Sequence, residues 1–169
     1  GMGVEAANVY ADTSSQFKDK NFVFNLAKYA EKSAYRYTDT NPNTKKERKL
    51  TSVAICVEKS SAALVRNVEL GYNVGRGANT ARNLGNRPAN HATPTYIADQ
   101  VKELAKEVKG FKVKVLEEAD MEKLGMGSLL SVSRGSVEPA KLVTMEYNGG
   151  KKGAKPIVLV GKGVTFDTG

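Results

Sequence analysis

One cysteine, one histidine and no tryptophan occur in 169 residues. A single cysteine excludes an internal disulfide and any zinc site built on several thiolates. Cys56 stands in the apolar run Val53-Ala54-Ile55-Cys56-Val57, where a small buried hydrophobe is the expectation and a nucleophile is not. With His91 alone, a histidine-rich metal site or a cysteine–histidine dyad has too few parts. Hydrolytic chemistry in this protein must lean on carboxylates, lysine or a bound metal. Long hydrophobic runs are missing too. No stretch approaches the roughly 18 to 20 apolar residues that span a bilayer. The N-terminus lacks an apolar core flanked by basic residues, and Gly1-Met2 reads as a glycine left by tag removal before a start methionine. A cytoplasmic location without membrane contact is expected.

What is there is ordinary in balance: 40 % apolar and 26 % charged residues, as in a globular protein. The length suffices for one domain or parts of two. Net charge is +8, from 26 basic and 18 acidic side chains. Such a balance suits phosphates or a membrane surface. The one dense cluster, Lys45-Lys46-Glu47-Arg48-Lys49, lies in a polar segment and reads as a solvated loop. No aromatic residues interleave with it, as single-strand binding would prefer.

Periodicity organises the rest. Residues 1–20 are polar and read as loosely ordered or as the frayed edge of an element. Phe22, Leu26, Tyr29 and Ala30 fall on one face of a helix over 21–37. Leu50 to Val57 is β-branched and apolar and reads as a buried strand. Ser60 or Ser61 caps a helix running to about Leu84. Its Gly71, Gly75 and Gly77 each cost roughly 1 kcal/mol relative to alanine, so close packing against another backbone is expected there. Asn86 to Thr93 is a loop, and Thr93-Pro94 starts a helix to about Val108 that Gly110 ends. Phe111–Leu116 reads as a half-exposed strand, 119–133 as short helical pieces and Lys141–Tyr147 as a strand. The segment 148–153 reads as a turn. Pro156–Val160 is continuously apolar and reads as a strand buried on both faces. Strands alternating with helices predict an α/β fold with a mainly parallel sheet.

The last segment, Val160-Gly161-Lys162-Gly163-Val164-Thr165-Phe166-Asp167-Thr168-Gly169, follows that apolar run. Ligand sites of open α/β sheets lie at the carboxyl ends of strands, so Lys162 and Asp167 are the candidate site residues. The phosphate-loop pattern fails, because Lys162 lacks the preceding Gly-x-x-x-x-Gly and is followed by glycine. Three readings stay open on local physics. Lys162 is a catalytic lysine with lowered pKa, or it closes the loop by a salt bridge to Asp167, or the two bind metal. The last needs a neutral amine, which an adjacent dication favours. Asp167 could then bridge two ions about 3.5–4 Å apart, which clamp a water and polarise a carbonyl.

Read as a whole, this segment resembles the signature that opens the active site of the leucyl aminopeptidases, the M17 metallopeptidases. Two further blocks resemble the same family. One is Ala81-Arg82-Asn83-Leu84-Gly85-Asn86-Arg87-Pro88-Ala89-Asn90 followed by Thr93-Pro94-Thr95. The other is Leu124-Gly125-Met126-Gly127-Ser128-Leu129-Leu130-Ser131-Val132 with Gly135-Ser136. The resemblance is strong from about residue 60 onward and weak before it. It implies removal of N-terminal residues, often leucine, from peptides with a free N-terminus. Two divalent metal ions per subunit, Zn2+ or Mn2+, are implied, with Lys162 a ligand of one and Asp167 of that one and the other. Both side chains would lie where the substrate's amine and carbonyl bind.

The implied architecture assigns 1–59 to the tail of a small N-terminal α/β domain and 60–85 to a linking helix. Residues 86–169 would be the first part of a three-layer α/β/α catalytic domain with a mixed, mainly parallel sheet. A homohexamer is implied. The family's catalytic lysine, its Asp-Ala-Glu-Gly-Arg segment and its other metal ligands lie downstream of the signature. The expectation is an internal piece, inactive alone, with no catalytic residue of its own. The other reading is a basic DNA-binding or hexamer-scaffold module, since some bacterial members also bind DNA. His91, Arg87, Asn86, Asn90, Ser133, Arg134 and Gly135 are expected to shape loops or face solvent.

Overall fold

The computed structural model of the protein describes residues 4–11, 20–40 and 49–166. They form two compact units that part between Arg87 and Pro88.

The first unit is β1 (Ala6–Tyr10), α1 (Lys20–Ser33), β2 (Ser52–Cys56) and α2 (Ala62–Asn86). β1 and β2 pair in parallel, Ala6 opposite Ser52 and Tyr10 opposite Cys56. A parallel pair needs a crossover, and α1 lies in it. Val23 and Ala27, four apart on α1, are buried, as an amphipathic helix requires. α2 begins at Ser61, whose hydroxyl accepts the Leu64 N–H at 3.3 Å. Gly71 and Gly75 are the buried residues of this 25-residue helix. A β-carbon at Gly71 would overlap the Phe24 carbonyl, and one at Gly75 would stand 2.8 Å from the Glu31 β-carbon. The expected close backbone approach is therefore real at two of the three glycines. Gly77 has nothing within 4 Å of such a β-carbon.

Polar side chains of α2 finish what the glycines begin. Asn79 donates to the Glu31 carbonyl oxygen and to its carboxylate, both at 3.1 Å. Arg82 donates to the Lys32 carbonyl at 2.9 Å. The Tyr35 hydroxyl donates to Asn83 and accepts from Asn86. Arg87 forms an ion pair with Asp39. These contacts advance along both helices together, so α1 and α2 run in the same direction. They also satisfy carbonyls at the end of α1, which a helix leaves without internal partners.

The second unit is α3 (Pro94–Glu107), β3 (Phe111–Leu116), α4 (Glu118–Lys123), α5 (Gly127–Ser133) and β4 (Leu142–Tyr147). Thr93 caps α3, accepting the Tyr96 N–H at 3.2 Å, with Pro94 in the first turn. Gly110, at φ 82°, turns the backbone into β3. In β3 exposed Lys112 and Lys114 alternate with half-buried Phe111, Val113 and Val115. β3 pairs with β4 antiparallel, Phe111 opposite Tyr147 and Leu116 opposite Leu142. The start of α4 is tied to the approach to β4: Glu118 accepts the Ala140 N–H at 2.8 Å and Glu117 pairs with Lys141. Met121 is fully buried, and Ala92, Ala98 and Ala140 are the smaller buried apolar residues of this unit.

The fold is thus mixed α/β, with one parallel and one antiparallel strand pair among the described residues. Several readings need correction. Residues 6–10, expected to be frayed, form a strand because β2 offers them a parallel partner. β2 is not buried: Ser52, Val53 and Ala54 are exposed, since a two-stranded sheet leaves a face uncovered. Cys56 is only half-buried for the same reason. The expected strand 156–160 forms neither helix nor strand, and Ile157, Val158, Leu159 and Val160 are 93 %, 73 %, 92 % and 95 % exposed. A strand needs neighbouring N–H and C=O groups to pair with, and the described residues supply none to this run.

Candidate functional site

Lys162 stands in the stretch 154–164, which has no regular secondary structure, and it is exposed. Gly161 and Gly163 flank it, and a β-carbon at either would meet nothing within 4 Å. Val164 and Phe166 beyond them are 48 % and 72 % exposed. Asp167 lies outside the described residues, and so do Thr168 and Gly169. The structure therefore does not bring the two candidate residues together or hold them apart.

One lysine amine and one carboxylate offer two kinds of donor atom, whereas two divalent ions need several ligands each. Among the described residues no group of three or more His, Cys, Asp or Glu side chains could hold a metal ion. The described residues do not make a complete metal site.

The remaining candidates are structural. His91 is exposed, and its N–H donates to the Pro88 carbonyl at 2.9 Å within the turn before Thr93. Arg87 faces Asp39 and is held with a side chain 19 % exposed, so it is no free surface arginine. The Asn86 side-chain amide donates to the Tyr35 hydroxyl at 3.0 Å. Asn90 is exposed in the turn. The Ser133 hydroxyl donates to the Leu130 carbonyl, and the Ser136 N–H to the Ser133 carbonyl, so Ser133–Ser136 closes α5. Of the basic cluster, Lys45 to Arg48 lie outside the described residues and Lys49 is exposed. No described helix is long and apolar enough to cross a membrane. Asn79 and Arg82, which fasten α2 to α1, were not singled out by periodicity. Their signal is a run of polar residues on the face of α2 that also carries Gly71 and Gly75.

Comparison with known proteins adds what geometry leaves open. Residues 79–169 match the model of the cytosol aminopeptidase family, catalytic domain. A probable cytosol aminopeptidase of Nitrosococcus oceani is 46 % identical over 147 residues, 85 % of this chain and 29 % of its own length. Another from Thioalkalivibrio sulfidiphilus is 66 % identical over 93 residues, 55 % of this chain and 19 % of its own. A third, from Aromatoleum aromaticum, is 40 % identical over 174 residues, all of this chain and 35 % of its own. The protein thus spans about a third or less of these relatives. Among solved structures, the bottromycin maturation enzyme BotP in complex with Mn matches with a TM-score of 0.72 and 27 % identity, over 87 % of this chain and 30 % of that one. A tomato leucine aminopeptidase mutant matches in fold, with a TM-score of 0.69 and 20 % identity over 83 % and 29 %.

Proposed function

The chain belongs to the cytosol aminopeptidase family, and on that premise we propose that it forms part of a metal-dependent leucyl aminopeptidase, which removes N-terminal residues from peptides with a free N-terminus. The observation that carries this reading is the family match over residues 79–169, whose last ten residues hold Lys162 and Asp167. In this reading the two side chains contribute an amine and a carboxylate to a site for divalent metal, Zn2+ or Mn2+. The manganese-bound relative BotP supports the metal class. Residues 1–59 belong to a small N-terminal domain, 60–85 to a linking helix and 86–169 to the catalytic domain. The division after Arg87 supports the start of the last of these, while the first two lie in one compact unit. A cytoplasmic homohexamer is the expected setting, in keeping with relatives named cytosol aminopeptidases.

A graft tests the proposal. Residues 79–169 replace the matching segment of the Nitrosococcus oceani relative, and turnover of leucine p-nitroanilide is measured with manganese. Activity should survive the graft and be lost in the same graft carrying Lys162→Ala or Asp167→Ala. Full activity in both variants would remove the two residues from the site. The 169-residue protein itself should show no turnover with manganese, because two donors do not hold a dinuclear centre; clear hydrolysis would refute that reasoning.

One observation favours a second reading. Residues 1–87 hold 14 of the 26 basic side chains but only 8 of the 18 acidic ones. That surplus suits a polyanion, and DNA binding is the alternative. Counterion release makes such binding fall steeply with salt. A flat salt response in a DNA-binding assay would eliminate it.

A further inference from the structure

The segment after β4 runs Asn148-Gly149-Gly150-Lys151-Lys152-Gly153. We infer that Asn148 is a site of spontaneous covalent modification, at which its amide nitrogen is lost by attack of the Gly149 backbone nitrogen. The sequence has twelve asparagines, and Asn148 is the only one followed by glycine. A following residue without a β-carbon puts no side chain of its own beside the attacking nitrogen, and at Gly149 the Tyr147 ring lies where a β-carbon would stand.

The fold separates Asn148 from the others. Asn8 lies in β1, Asn21 and Asn25 in α1, and Asn67, Asn73, Asn79, Asn83 and Asn86 in α2. Helix and strand hold those backbones away from the geometry of ring closure. Asn90 lies in a turn, but the nitrogen that would attack it, that of His91, already donates to the Pro88 carbonyl at 2.9 Å. Asn41 precedes Pro42, which has no N–H. Asn43 precedes Thr44, whose branched β-carbon crowds the attacking nitrogen. Asn148 is exposed and lies outside helix and strand, as does Gly149.

The reaction balances without an oxidant. The Gly149 N–H gives its proton to a base in the solvent, and the nitrogen bonds to the γ-carbon of Asn148. The bond between that carbon and the amide nitrogen breaks, and the amide nitrogen takes up a proton and leaves as ammonia. The five-membered succinimide then adds water at one of its two carbonyls. Opening at the backbone carbonyl gives isoaspartate, and opening at the γ-carbonyl gives aspartate.

The product disturbs its surroundings. The Asn148 amide donates to the Glu146 carboxylate at 2.8 Å. A carboxylate at 148 has no proton to donate and repels Glu146. Isoaspartate also adds a methylene to the backbone between β4 and the segment that carries Lys162.

The test incubates the folded protein in neutral buffer and maps peptides by mass spectrometry over time, with enzymatic detection of isoaspartate. Asn148 should convert at least several-fold faster than Asn43, Asn90 or any other asparagine, and isoaspartate should appear at 148. Asn148→Gln should remove the fast conversion, because the extra methylene enlarges the ring that must form. Conversion at 148 no faster than at the other sites would overturn the inference. So would aspartate alone at 148, which marks direct hydrolysis without the succinimide.

Discussion

Glycine carries opposite meanings at two positions of one helix. At Gly71 a methyl group collides with the Phe24 carbonyl, part of a backbone that cannot swing aside. Gly71→Ala is expected to destabilise the first unit by about 1–3 kcal/mol through overpacking, read as a lower midpoint in urea. At Gly77 the same change meets open space. Gly77→Ala is expected to stabilise by about 0.5–1 kcal/mol, because alanine loses less backbone freedom in a helix. The pair is its own control, since both changes add one methyl to α2. In the second unit Met121 is the large side chain with no exposure. Met121→Ala should cost about 2–5 kcal/mol, as truncations of buried residues do, and a loss below about 1 kcal/mol would mean that the unit collapses around the gap.

Elements with local punctuation or a clear apolar pattern were legible in the sequence, even where their partners are distant, as in β3 and β4; β1, which has neither, was not. Ser61 and Thr93-Pro94 mark the starts of α2 and α3, and the structure shows both hydroxyls capping. Thr93→Ala should cost about 1 kcal/mol, measured by thermal melting; an unchanged melt would show that Pro94 alone sets the start of α3. β1 was missed because Ala6-Ala7-Asn8-Val9-Tyr10 has little intrinsic strand character. It becomes a strand through β2, whose residues pair with it from 46 positions away. The run Ile157–Val160 failed in the opposite sense. Apolarity states that a segment is better covered, but does not supply the cover. The candidate site divides along the same line. The types and spacing of Lys162 and Asp167 could be read against a family signature. Their mutual geometry depends on contacts that no local pattern encodes.

For the molecule as a whole, two surfaces of different character result. The first unit holds most of the surplus of positive charge, and the second carries an exposed apolar run at Ile157, Val158, Leu159 and Val160. Contiguous exposed apolar residues of high strand propensity favour self-association. Leu159→Lys should therefore lower light scattering of the concentrated protein without changing its circular dichroism. Equal scattering from both proteins would place the sticky contact elsewhere.

The clasp of Asn79 and Arg82 on the end of α1 has a consequence in time. Those side chains lie 48 to 50 positions after the carbonyls they satisfy. At a synthesis rate of about 5–20 residues per second, the final turn of α1 is made roughly 2.5–10 seconds before its partners exist. During that interval the Glu31 carbonyl lacks the side-chain amide that satisfies it in the folded unit. The end of α1 is thus fastened only after α2 has been made, so the first unit completes itself late in its own synthesis.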